Sequence, residues 1–292
     1  MMKALAALLF AAAVVEAASP FAFREVSPTS LELSENGAPV FVYNFGMMRK
    51  AGIPDSMERS SYLHPVYTPG GVVITDDFNP DHAHHRGISW MWPVVIVDGK
   101  TYDLWTIQGI RTRFVRWTAQ QTDADSARLG VENGWFIGER KVVNESVDIV
   151  AHRARQGRRE VDFTLAFEAT GDPVRIAGTP DQQKGFGGFC FRFAPRDGGP
   201  AKTVIRTDQG VSEKDGVMAR HPWAEISGTF RGRPAGGRID DQPANPGYPA
   251  NGWLMRHGFG FLNVSWPGLQ PYTLKPGSPL VLKYKVTVFD GE

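Results

Sequence analysis

Large apolar side chains alternate with small or polar ones from residue 161 to 168. Val161, Phe163, Leu165 and Phe167 fall on one side, and Asp162, Thr164, Ala166 and Glu168 on the other. The same period of two returns near the C-terminus, where Leu282, Tyr284, Val286 and Val288 alternate with Lys283, Lys285 and Thr287, and more weakly at Val147, Ile149 and Ala151. A period of two gives a strand one buried face, whereas a helix needs a period near 3.6. Short apolar runs at residues 40–45, 94–97, 189–193 and 259–264 add further strand candidates. Gly and Pro punctuate them, at Pro69-Gly70-Gly71, Asp98-Gly99, Asp197-Gly198-Gly199 and Pro267-Gly268, where they set positive φ or fix φ for turns. No stretch longer than about ten residues keeps a helical period. The fold class expected is all-β, a large antiparallel β-sandwich.

Two units are expected along the chain, a signal peptide at residues 1–18 and one sandwich domain at residues 19–292. Lys3 supplies a short positive region, residues 4–15 form an apolar run, and Val15-Glu16-Ala17 offers a cleavage site. The run is shorter than the ~20 residues that span a bilayer. The expectation is a periplasmic or secreted protein with no membrane insertion once the signal is removed. Cys190 is the only cysteine, which excludes an intrachain disulfide, and its neighbours Phe189 and Phe191 predict a buried thiol in a strand. With 32 basic and 31 acidic residues, the net charge of +1 implies no nucleic-acid partner and no pull toward anionic membrane. The Gly/Pro-rich residues 232–252 carry Asp240, Asp241, Asn245 and Tyr248 and read as a functional loop.

Four of the seven histidines fall within residues 64–85, and three of them lie in Asp81-His82-Ala83-His84-His85-Arg86. Tyr62, Tyr67, Asp76, Asp77, Trp90 and Trp92 lie nearby. Three readings stand side by side. In an extended segment His82 and His84 would point the same way, and with His64 they could bind a divalent metal that keeps one open position. Without a metal, the histidines could move protons near neutral pH while Arg86 holds a developing oxyanion. The third reading is structural, with histidines bonded to backbone carbonyls and Asp81 capping a turn. No cofactor is expected, with the divalent metal as the alternative.

Two further constellations are candidates. Lys184-Gly185-Phe186-Gly187-Gly188 could bring backbone close to a ligand, although it lacks the ending of a phosphate loop. Asp240-Asp241-Gln242-Pro243-Ala244-Asn245-Pro246 could place one carboxylate in a cleft. Glu168 and Glu225 are minor acid candidates.

The runs His64-Pro65-Val66-Tyr67, Asp77-Phe78, Pro80-Asp81-His82-Ala83-His84-His85-Arg86-Gly87 and Trp90 resemble a bacterial family labelled methane oxygenase PmoA-like. The likeness continues through Lys184-Gly185-Phe186-Gly187-Gly188 and residues 223–228, 240–246 and 256–258, and ends at 284–291. Ala83 stands where relatives often carry proline. In pattern the family is similar to the galactose-mutarotase-like supersandwich. The resemblance implies an exported enzyme that handles a sugar or oxidised (keto) glycoside by acid–base chemistry, through glycosidic cleavage, elimination or epimerisation. On that reading His82, His84 or His85 moves the proton, and Asp81, Asp241 or His64 is its partner. Arg86 and Lys184 hold negative charge on oxygen, and Tyr67, Trp90, Trp92, Asn245, Trp253 and Arg256 bind a small-molecule or oligosaccharide substrate. The alternatives are a non-catalytic carbohydrate-binding protein and, following the label, a metal-dependent oxidoreductase.

Overall fold

A computed structural model describes residues 19–249 and 252–291. The expected signal peptide at 1–18 lies outside the described residues. Among them the regular structure is strand, apart from three short 3-10 turns at Asp55–Met57, Asp181–Gln183 and Gly199–Lys202. No described helix is long and apolar enough to cross a membrane.

Two nine-stranded antiparallel sheets form the molecule, with a four-stranded sheet beside them. In the first sheet the strands run Phe21–Ser27, Ser30–Glu35, Ala38–Asn44, Tyr62–Val66, Ile88–Met91, Gly188–Arg192, Phe261–Ser265, Trp253–Arg256 and Gly216–Ala219. In the second the order is Gly210–Ser212, Val204–Thr207, Trp223–Phe230, Arg233–Asp241, Leu280–Asp290, Arg158–Ala169, Arg140–His152, Ser126–Ile137 and Arg111–Thr122. The two most regular alternating segments are hydrogen-bonded neighbours, with Phe163 opposite Tyr284 and Leu165 opposite Leu282. Both turn their large residues inward. Across the gap Trp90 and Phe189 of the first sheet, and Trp92 just past the strand Ile88–Met91, meet Phe163, Phe167 and Tyr284 of the second. The antiparallel sandwich expected from the alternation is the one observed. Asp98-Gly99 closes a two-residue hairpin with both residues at positive φ, as a tight hairpin turn requires.

Residues 232–252 differ from the loop expected of them. Their first half is the strand Arg233–Asp241, in the middle of the second sheet. Its glycines serve packing, since a Cβ on Gly237 would stand 2.7 Å from the Phe191 ring.

The strand Gly188–Arg192 sits at the centre of the first sheet and is buried on both faces. Phe189 turns to the second sheet, so alternation turns Cys190 and Arg192 to the opposite, outer face. Register puts Ser89 and Asn263 beside Cys190, and Phe261 beside Arg192, on that same face. The connection from Val66 to Ile88 folds over this face. It is tied down by Asp76 N–H to the Arg192 carbonyl (3.1 Å) and by Arg192 N–H to the Gly87 carbonyl (2.8 Å).

Candidate functional site

The histidine block is a pair of turns, not an extended segment. His82 N–H donates to the Asn79 carbonyl and His85 N–H to the His82 carbonyl. Arg86 anchors it from below. Its guanidinium is fully buried, donates to the Ala83 carbonyl and to the Met57 carbonyl (2.6 Å), pairs with Asp77 (3.2 Å) and lies 3.4 Å over the Phe78 ring. Tyr62 donates to the second Asp77 oxygen at 2.8 Å. Burial lifts the Asp77 carboxyl to about 6, against the pull of Arg86 and Tyr62. Arg86 therefore holds the loop; it is not the substrate-facing cation expected of it.

The turns bring three imidazoles into contact. His82 stacks on His85 at 4.7 Å, and His84 meets His85 edge-on at 4.5 Å. His85 is buried and stacks on Phe261 at 4.4 Å, with Trp105 edge-on at 5.5 Å. His82 and His84 are only partly buried, and Phe259 lies 4.6 Å from His82. Burial lowers His84 to about 4, and the charges of Arg59, His82, Arg86 and Arg192 push the same way. Burial likewise drives His85 well below the usual range. At neutral pH these two rings are uncharged bases. His64 stands apart, with Nδ1 3.0 Å from the Thr75 hydroxyl, and burial takes it to about 4.

Arg192 forms the wall beside the imidazoles. Its Nη2 donates to both oxygens of Asp81 (2.9 and 3.0 Å), its Nε lies 3.8 Å from Asp76, and its guanidinium is 4.9 Å from the Phe259 ring centre. Burial raises the Asp81 carboxyl, but the Arg192 hydrogen bond and charge outweigh it and hold the group below its ordinary value. Asp81 also lies 3.4 Å from His82 Nδ1. Asp76, Asn79, Asp81, Arg192, Arg196 and Phe259 line a cleft of about 170 Å³ here. Arg59 backs the cluster, donating through Nη2 to the Leu104 and Trp105 carbonyls (2.7 and 2.8 Å). Chemically, the arrangement is three touching imidazoles, of which His84 and His85 are neutral bases at pH 7, with His82 beside a cleft whose wall carries a fixed guanidinium–carboxylate pair.

Of the residues named from the sequence, His82, His84, His85 and Asp81 come together here. The others do not join them. Trp90, Trp92 and Trp253 are core side chains, at most 5% exposed, and the indole N–H groups of Trp92 and Trp253 are spent on the Trp266 and His221 carbonyls. They have no face left for a sugar. Lys184 pairs at 3.5 Å with the exposed Asp181. The glycines around it approach the chain's own backbone: Gly187 N–H donates to Asn263, and a Cβ on Gly188 would stand 2.7 Å from the Val264 carbonyl oxygen. Asp241 lies in the second sheet opposite Tyr284, receiving a hydrogen bond from Asn245. Asn245 is itself locked to the Lys283 backbone in both directions. Tyr67 bonds through its backbone N–H to the Val40 carbonyl, and Arg256 faces Asp215 at 3.7 Å. Arg59, Trp105, Arg192, Phe259 and Phe261 were missed. For Arg192 a signal was present: an arginine in the apolar run Phe189-Cys190-Phe191-Arg192-Phe193 needs a buried partner.

Among the described residues no three His, Cys, Asp or Glu side chains are spaced to hold a metal ion. His64, expected to complete a ligand set with His82 and His84, is turned to Thr75 instead.

A family model described as a family of unknown function, DUF6807, matches residues 30–292. No curated protein matches the chain. Solved structures do. One is a galactose mutarotase related enzyme from Lactobacillus acidophilus, 10% identical over 93% of this chain and 97% of that one, with a TM-score of 0.41. Another is a GalM/aldose epimerase homologue from C. elegans, 7% identical over 93% and 99%, with a TM-score of 0.38. A mutant of the heparan sulfate lyase HepC from Pedobacter heparinus is 9% identical over 99% of this chain and 38% of that one, with a TM-score of 0.37.

Proposed function

Taking as premise that the chain belongs to the DUF6807 family of unknown function, we propose that it is a carbohydrate-active enzyme working by acid–base chemistry at the imidazole cluster. The observation that carries this reading is the mutual contact of His82, His84 and His85, with His82 touching Asp81 and Phe259, two of the residues that wall the cleft with Arg192. His84, neutral and partly exposed, is the base that takes a proton from a ring carbon or hydroxyl. His82, beside the Asp81 carboxylate, returns a proton to the departing or rearranging oxygen. Arg192, in place of Arg86, stabilises negative charge on oxygen as it develops. Phe259 offers an apolar face to the C–H side of a sugar ring, and the charged wall meets its hydroxyls. Hydrolysis between two opposed carboxylates fits less well, because Asp76 and Asp81 share one side of the cleft with Arg192. Elimination or epimerisation is the better match.

The test is incubation of purified protein with oligosaccharides and 3-keto-glycosides, with products followed by NMR. Turnover is expected, falling by about 100-fold or more in His84→Ala, the scale of lost general-base catalysis. No turnover of any of these substrates overturns the reading. Sugar affinity without turnover, unchanged in a His82→Ala/His85→Ala double variant, would mark a binding module instead.

A further inference from the structure

Among the buried donors near the imidazoles that have no hydrogen-bond partner among the described residues, Arg192 Nε and Arg86 Nε face the carboxylates of Asp76 and Asp77, whereas Arg59 Nε, Arg192 Nη1 and the Ser89 hydroxyl face none that is ion-paired with them. Their residues are 7%, 2% and 2% exposed. An unsatisfied buried donor is costly, most of all on a charged group, so three in one region call for an acceptor.

Several observations place them around the same point. Ser89 stands beside Cys190 on the neighbouring strand and Arg192 two residues further along Cys190's own strand, all on the outer face of the first sheet. Arg59 acts electrostatically on Cys190 as well, and both Arg59 and Arg192 depress His84 and His85. In the geometry, Arg59 bonds the carbonyl of Trp105, whose ring meets His85 edge-on, and Arg192 stands beside Phe261, on which His85 stacks. Each is already fixed by its Nη2, Arg59 on two backbone carbonyls and Arg192 on Asp81. Their remaining N–H groups are preorganised, so little entropy is lost when an acceptor arrives.

We infer that this site takes a sugar bearing a carboxylate, with the acid group seated between Arg59, Arg192 and Ser89 and the ring against Phe259. The inference rests on the carbohydrate reading above and narrows its substrate class to uronate-type sugars. A carboxylate is a planar acceptor with two oxygens, matched to guanidinium N–H groups. A phosphate dianion fits less well. Asp76 and Asp81 line the cleft beside Arg192 and oppose a second negative charge.

The experiment is calorimetric titration of the full chain, at low salt, with a methyl uronide, its methyl ester and the matched neutral methyl glycoside. The uronide is expected to bind at least about tenfold tighter than either neutral form, the scale of charge-assisted hydrogen bonds. Arg192→Gln and Arg59→Gln should each abolish that preference. The ester comparison uses unaltered protein, so it decides the matter even where a variant fails to fold. Equal affinity for uronide and ester overturns the inference, as does inorganic phosphate competing as well as the uronide. Binding or turnover confined to neutral sugars also overturns it while leaving the carbohydrate reading standing. Absence of any sugar binding overturns both.

Discussion

Arg86 and the histidines above it show how much a single side chain carries here. Removing Arg86 strands Asp77 in a buried site and frees the Met57 and Ala83 carbonyls. Arg86→Ala should lower stability by about 3–5 kcal/mol, the cost of breaking a buried ion pair. Because Asp77 titrates at about 6, the loss should be larger at pH 8 than at pH 5, as urea unfolding at the two pH values would reveal. Arg86→Lys keeps the charge without the fork and should recover only part of it. The histidines set an acid limit. His64 and His84 sit at about 4 in the folded chain against an ordinary 6.5, so the fold favours their neutral forms. The stability this contributes is complete above pH 6.5 and is lost as pH falls through 4. The urea midpoint should hold steady from pH 8 to 6.5 and then fall, with a shallower fall in His84→Asn. A base at about 4 also keeps its proton off at pH 5, so the acid limb of kcat/KM should lie near 4 and not near 6.5. These residue types were legible in the sequence as a candidate site. Their roles were not, because His64 differs from His84, and Arg86 from Arg192, only in which neighbours the fold supplies.

At the scale of elements, the site depends on how two strands begin and end. Gly87 opens the strand Ile88–Met91 at φ +21°, and a Cβ there would stand 1.9 Å from the Leu63 carbonyl oxygen. Gly87→Ala should cost at least about 2 kcal/mol, within the ~1–3 kcal/mol of an overpacked core, and should cut turnover by displacing Arg86 next door. Denaturation and activity measured on the same sample check both parts. The strand Gly188–Arg192 carries two programmes on one backbone, phenylalanines toward the second sheet and Cys190 and Arg192 toward the loops. Period-2 reasoning located this strand. It could not say that the face opposite the phenylalanines is also covered, since a covering loop leaves no periodic mark.

For the molecule as a whole, the side chains packed between the sheets form the core on which the strands of the site rest. Phe163 packs on Trp90 and Phe189 in that core. Phe163→Ala should cost about 3–5 kcal/mol by urea unfolding, the range for large aromatic truncations. Val281, on the same sheet but 40% exposed, should tolerate Thr within about 0.5 kcal/mol. The sequence by itself determined the all-β class, several strands, the turn at Asp98-Gly99 and the buried thiol, and it marked the histidine block as the candidate site. Each of these is a local property, written in a period or a turn dipeptide within a few residues. Only the tertiary structure decided that Trp90, Trp92 and Trp253 belong to the core and that Asp241 and Lys184 lie with other partners. It alone brought Arg59, Trp105, Arg192 and Phe259 to the histidines. Those four come from separate stretches of chain, and what joins them is sheet order and loop closure, which depend on the packing of the whole chain and not on any one stretch of it.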